Sequence, residues 1–129
     1  MLKSIYGLAA APTLMAAIAI FAVPSGAQST PAGAQAFSMC AACHTVTKGG
    51  RNGIGPNLSG LIGRRAGSVP GFSYSAAMKG SGLTWDAKTL DQFLAAPTKK
   101  VPGTKMPISL SDPAKRAAVI AYLTTATAK

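Results

Sequence analysis

Cys40-Ala41-Ala42-Cys43-His44 places both cysteines and the only histidine of the chain within five consecutive positions. Two thiols three residues apart on a helical turn can add to the two vinyl groups along one edge of a haem, and the next residue then projects an imidazole under the ring toward the iron. Neutral imidazole is a good iron ligand, and its second nitrogen needs an orienting acceptor. Three other readings compete. A thioredoxin-type redox pair wants a βαβ context. Aromatic and β-branched residues never alternate here over a useful length, so strands are not expected. A disulfide leaves the histidine unexplained. A closed zinc site needs four ligands, which Cys and His cannot supply here. Covalent haem attachment uses all three residues.

With no second histidine, a sixth iron ligand must come from methionine. Met39 adjoins Cys40 and is tethered too near the attachment edge to reach the far face. Met78 sits in a short helical stretch and reads more readily as core filler. Met106 lies in Val101-Pro102-Gly103-Thr104-Lys105-Met106-Pro107. Prolines stiffen that loop, and Gly103 permits close approach to a flat ring. A thioether is soft enough to favour ferrous iron, and Met/His ligation raises the reduction potential. Met106 is therefore the expected ligand.

Helical signals surround these motifs. Ala32 to Cys43 is Ala-rich and precedes Gly49-Gly50. Ser75 to Lys79 suits a short turn of helix. Thr84 to Ala95 carries Leu90, Phe93 and Leu94 at helical spacing, with Pro97 as its stop. Asp112-Pro113 reads as an N-cap followed by proline at the first helical position. The helix it opens runs to about Ala126, with Val119, Ile120 and Leu123 on one side. Long Gly/Pro stretches at 49–71 and 97–107 lie between, and loops of that length in a compact domain usually wrap something functional.

The chain has 129 residues, enough for one domain. Lys and Arg total 13 against 3 acidic residues, a net charge of +10, which suggests an anionic partner. Four-cysteine iron–sulfur centres and disulfide-dense scaffolds are excluded by the cysteine count. Residues 1–27 combine Lys3, an apolar run from Leu14 to Val23, and Ser25-Gly26-Ala27. This is the pattern of a signal peptide cleaved after Ala27, which leaves residues 28–129 in the periplasm. The competing expectation is an uncleaved anchor through residues 5–23, with the domain facing the periplasm.

Five motifs carry a family resemblance: CAACHTV at 40–46, GPNLSGLIGR at 55–64, PGFSYSAAM at 70–78, LTW at 83–85 and VPGTKM at 101–106. From about Gly33 to Leu123 the chain resembles a class I cytochrome c of the mitochondrial and bacterial c2 kind. The resemblance implies an all-α fold, with about three main helices plus short helices and long loops around one buried haem. It implies one covalent haem c with iron, thioether bonds at Cys40 and Cys43, and axial ligands His44 and Met106. The Pro56 carbonyl would take the second N–H of the histidine. Arg64, Tyr74, Ser75 and Trp85 would surround the haem propionates, with the Thr104 hydroxyl beside the inner one. Gly33 and Phe37 would cross the last helix against Val119 and Tyr122.

The implied function is a soluble, monomeric electron carrier and not an enzyme. The resemblance implies donors such as a quinol–cytochrome c reductase and acceptors such as a terminal oxidase, with a dehydrogenase, a photosynthetic reaction centre or another redox protein able to replace either. Docking would be transient, on a positive rim of Lys99, Lys100 and Lys105. Departures from the family pattern are Met78 where an Asn is usual, Phe93 where a Tyr is usual, and Ile108 where an aromatic is frequent. Met39 and Thr98 replace frequent lysines. The rival reading, a haem enzyme or gas sensor with a displaceable methionine, needs a distal acid or base. The three acids, Asp86, Asp91 and Asp112, all fall in or at the ends of expected helices. The basic residues are scattered and no aromatic platform interleaves them, which argues against nucleic acid.

Overall fold

The computed structural model describes Gly7 and residues 30–128. Apart from Gly7, the expected signal peptide, its cleavage point after Ala27 and the anchor alternative at 5–23 lie outside the described residues. Five helices follow one another: α1 (Thr30–Phe37), α2 (Ala76–Gly80), α3 (Ala87–Ala95), α4 (Pro97–Lys100) and α5 (Pro113–Ala126). Among the described residues no helix is long and apolar enough to cross a membrane. One isolated bridge, Arg65 to Thr84, is the extent of β pairing among them.

Side-chain caps set the starts of α2, α3 and α5. Asp112 accepts from the Ala114 N–H at 2.9 Å and the Lys115 N–H at 3.4 Å, and Pro113 occupies the first turn of α5. Asp86 caps α3 through the Thr89 N–H at 2.7 Å. That helix starts later than the expected Thr84, because Thr84 is committed to the bridge with Arg65. α1 likewise stops at Phe37 rather than running to Cys43. The Ser38 hydroxyl donates to the Gln35 carbonyl at 2.8 Å and offers the backbone a local alternative to the helix. Residues 38–43 continue as hydrogen-bonded turns, with Cys43 and His44 N–H groups donating to the Cys40 carbonyl at 3.0 and 2.9 Å. Pro97 ends α3 as expected but also opens the single turn of α4, since proline suits a first helical position. The stretch read as loop from 97 therefore begins as helix.

α5 packs against both α1 and α3. A Cβ on Gly33 would stand 2.7 Å from the Tyr122 Cβ and 3.0 Å from the Ala118 carbonyl, so the α1–α5 crossing needs glycine there. Phe37 stacks beside Tyr122 at 5.1 Å between ring centroids, and Val119 is buried below them. Between α3 and α5, the Arg116 Nε meets Asp91 Oδ1 at 2.8 Å. The same guanidinium donates to the Leu110 and Ser111 carbonyls at 2.8 and 2.9 Å. The Leu110 N–H bonds the Leu94 carbonyl at 2.8 Å, and the Val101 N–H bonds that of Pro97 at 2.8 Å. The loop carrying Met106 is thereby anchored at both ends.

Asp112→Ala removes the cap of the longest described helix and is expected to cost about 1 kcal/mol of stability. Denaturant unfolding followed by fluorescence measures it. A change within about 0.2 kcal/mol would show that Pro113 and packing alone define the helix start.

Candidate haem site

A cavity of about 350 Å³ lies among α1, α3, α5 and the long loops. Cys40, Cys43, His44, Pro56, Arg64, Tyr74, Ser75, Trp85, Thr104 and Met106 all line it. The structure thus brings every cofactor residue expected from the sequence to one space. Most of the remaining wall is apolar, including Leu61, Leu90, Leu94, Val119 and Leu123.

His44 sits at the end of the turn that follows α1. Its Nδ1–H donates to the Pro56 carbonyl at 2.8 Å. A proline carbonyl can only accept, so the bond fixes the tautomer and leaves the Nε2 lone pair for a metal. Burial pushes the His44 pKa down, the Pro56 bond opposes this, and the Arg64 charge adds to the lowering. The imidazole is held in the neutral form that ligation needs. Gly55 completes the support, because a Cβ there would lie 2.6 Å from His44 Nδ1. The sequence reading did not single out Gly55. Its one signal was its place before Pro56.

The pole of the cavity near Arg64 has a distinct chemistry. The Arg64 guanidinium is held by the Ser59 and Asn57 carbonyls at 2.8 and 3.2 Å. Tyr74 accepts the Val69 N–H at 3.2 Å, Ser75 the Met78 N–H at 3.0 Å, and Thr104 the Met106 N–H at 3.2 Å. Each hydroxyl oxygen is occupied as an acceptor, and each O–H remains to donate. Burial pushes the Tyr74 pKa up, which keeps that proton in place. Trp85 is buried beside them with its donor-only indole N–H. A guanidinium, an indole and three hydroxyl hydrogens suit carboxylates, so the residues present fit the propionate end of a haem. Asn57, also missed in the sequence, braces this pole. Buried itself, it bonds Thr45, Thr47 and Ser59 through its side chain.

Met78 and Phe93 are buried in the cavity wall as well, and Phe93 meets Trp85 edge-to-face at 5.2 Å. Cys40 and Cys43 are not joined to each other. Of the three lysines expected to form a rim, only Lys105 lines the cavity. Lys99 stands exposed on α4, not on the Met106 loop. The Lys100 ammonium donates to Gln92 at 2.7 Å and that of Lys105 to the Ser73 carbonyl at 3.2 Å. Lys105 thus stands at the cavity edge, with Lys99 and Lys100 on α4. Among the described residues no carboxylate lines the cavity. Asp86 and Asp112 cap helices and Asp91 pairs with Arg116.

The sequence profile of the cytochrome c family matches residues 31–127. The chain belongs to the cytochrome c family. It is 50% identical over 93 residues to cytochrome c2 of Rhodoblastus acidophilus, across 71% of this chain and 87% of that protein. It is 53% identical to cytochrome c2 iso-2 of Magnetospirillum fulvum, across 68% of this chain and 92% of the relative. Cytochrome cH from Methylobacterium extorquens shares the fold with a TM-score of 0.68 and 51% identity, over 73% of this chain and 95% of that one. This cytochrome c is an electron carrier with covalently attached haem c, and its all-α helical frame is that of class I.

Proposed function

We propose that this cytochrome c works in the periplasm, passing single electrons from a quinol–cytochrome c reductase to a terminal oxidase. Export through residues 1–27, with cleavage after Ala27, would deliver residues 28–129 there. The observation that carries the reading is the cavity's two-ended chemistry, with His44 aligned by Pro56 at one place and a donor-only pole around Arg64 at another. When bound, the haem supplies an iron that alternates between ferric and ferrous. Cys40 and Cys43 hold it by thioether bonds. His44 and Met106 would be the two protein ligands of that iron, which would leave it closed to a substrate. Arg64, Tyr74, Ser75, Trp85 and Thr104 bind the propionates and orient the ring. The apolar wall excludes water. Among the described residues no carboxylate lines the cavity, and His44 is turned to Pro56, which supports a carrier over an enzyme. Lys99, Lys100 and Lys105 lend positive charge on the Met106 side and steer acidic partners.

The visible spectrum of the exported protein tests the ligand set. A low-spin spectrum with the ferric far-red Met–iron band is expected, with haem that acid acetone does not extract and no titratable thiol. Cys43→Ala should leave one thioether or fail to mature. Extractable haem, or two free thiols in the native protein, would overturn the attachment.

A further inference from the structure

Arg51-Asn52-Gly53 contains the one asparagine of the chain that precedes a glycine; the other, Asn57, precedes Leu58. Asparagine before glycine is the pairing most open to loss of its amide. Glycine has no side chain to shield its own backbone nitrogen from the neighbouring carboxamide. Here the pairing stands in irregular chain: the segment 44–64 is turn and loop, Asn52 is half-buried and Gly53 is exposed. Asn57 is buried, with both ends of its carboxamide bonded.

The Asn52 side chain ties two loops together. Its Oδ1 accepts the Asn57 N–H at 2.9 Å, and its Nδ2 donates to the Pro70 carbonyl at 3.2 Å. It also lines a second cavity, of about 350 Å³, whose wall includes Arg64. Arg64 lines the haem cavity as well. The Gly53 N–H donates to the Gly55 carbonyl at 2.9 Å.

We propose that Asn52 is a site of spontaneous deamidation, slowed by its own hydrogen bonds, and that its conversion unties the loop at Pro70 from the loop at Asn52. When the Asn52–Pro70 and Gly53–Gly55 bonds open together, the Gly53 nitrogen attacks Asn52 Cγ. A C–N bond forms, the Gly53 proton passes through solvent to the departing nitrogen, and ammonia leaves a five-membered imide. Water then opens the ring. Cleavage at Cγ gives aspartate in the original chain, and cleavage at the main-chain carbonyl gives isoaspartate, with the chain routed through Cγ. Solvent water is the only co-reactant, and nothing is oxidised or reduced. A carboxylate accepts hydrogen bonds but donates none. The aspartate form therefore keeps the Asn57 bond and loses the Pro70 bond, setting two acceptors against each other. It also brings a negative charge into the cavity that Arg64 shares, which favours ferric over ferrous iron. Irregular, exposed segments open locally at low free energy, so the conversion proceeds in the folded protein, only more slowly. The modification itself does not depend on the electron-carrier reading.

The test incubates the haem-loaded protein at mildly alkaline pH, with and without denaturant. Peptide 49–79, released by cleavage after lysine, is then mapped by mass spectrometry. Asn52 is expected to convert in both samples, about tenfold more slowly without denaturant, while Asn57 stays intact in the folded protein. A folded protein left unconverted when the denatured one is complete would overturn the site. Equal rates would overturn the protection by hydrogen bonds. Conversion of Asn57 as fast as Asn52 in the folded protein would overturn the assignment to the Asn-Gly pairing. Asn52→Asp supplies one product directly. In it, hydrogen exchange of the Val69 and Phe72 amides, which bond within the Pro70 loop, should quicken about tenfold while the Asn57 amide stays protected. Its reduction potential should lie below that of the wild type. Unchanged exchange at Val69 and Phe72 would overturn the untying, and an equal or higher potential would overturn the coupling through the Arg64 cavity.

Discussion

Gly55→Ala is expected to cripple haem incorporation, although it adds a single methyl group. The position is buried, and the new Cβ would lie 2.6 Å from His44 Nδ1, well inside contact distance. The imidazole has little freedom to retreat, because the Nδ1–Pro56 bond holds it on that side. Either the ring swings and Nε2 leaves its line, or the loop moves and the Pro56 bond breaks. Loss of an orienting partner of a metal-bound histidine typically costs about 10–100-fold in metal affinity or activity. Holo-protein yield should fall by a comparable factor, and what matures should show a high-spin or mixed spectrum. Gly80→Ala is the control, since a Cβ there meets nothing within 4 Å. Equal yields for the two variants would show that the loop absorbs the methyl group and that Gly55 has no role in seating His44.

Met106→Ala is expected to have the other large effect, and a differently shaped one. The proposed ligand disappears, so the ferric far-red band should be lost. The reduction potential should drop by a sizeable part of the roughly 0.8 V over which axial ligands set it. Folding stability should move far less. The loop is held by Val101 at one end and by Leu110 and the Arg116 guanidinium at the other, and neither anchor involves the Met106 side chain. Potentiometry and denaturant unfolding on the same sample separate the two effects. An unchanged potential would return Met106 to the role of loop filler. Met78, the buried methionine on the cavity, would then have to be tested as Met78→Leu.

What could be read from the sequence was whatever chemistry acts over a few residues. Cys40 to His44 announces its cofactor locally, and Asp112-Pro113 announces α5 for the same reason. The bond from His44 to Pro56 was expected from a resemblance, and the structure places those groups at 2.8 Å. Features that depend on a distant neighbour were not legible. Gly55 matters for the Cβ it lacks, and only the position of His44 gives that absence meaning. Lys100 carries the same symbol whether it waits for a partner or bonds Gln92 across one helical junction. The early end of α1 turned on one hydroxyl, that of Ser38, choosing a backbone carbonyl. Asn57 gave no hint that it would brace a cation through shared carbonyls and hydroxyls.

The buried Met78 and Phe93 bear on the speed of electron passage itself. Both stand where the family resemblance implies polar side chains, and both belong to the buried cluster that holds Trp85, Leu90 and Leu94. A change of one charge in the cavity makes nearby dipoles reorient, and that reorientation is a barrier the electron must meet. Thioether, phenyl and isobutyl groups carry little dipole to turn, and they are close-packed against one another. The nuclear rearrangement accompanying oxidation should be small around these side chains, and at the Arg64 pole the guanidinium is already held by the Ser59 and Asn57 carbonyls. A low reorganisation energy of that kind lets electrons cross quickly even when donor and acceptor differ little in potential.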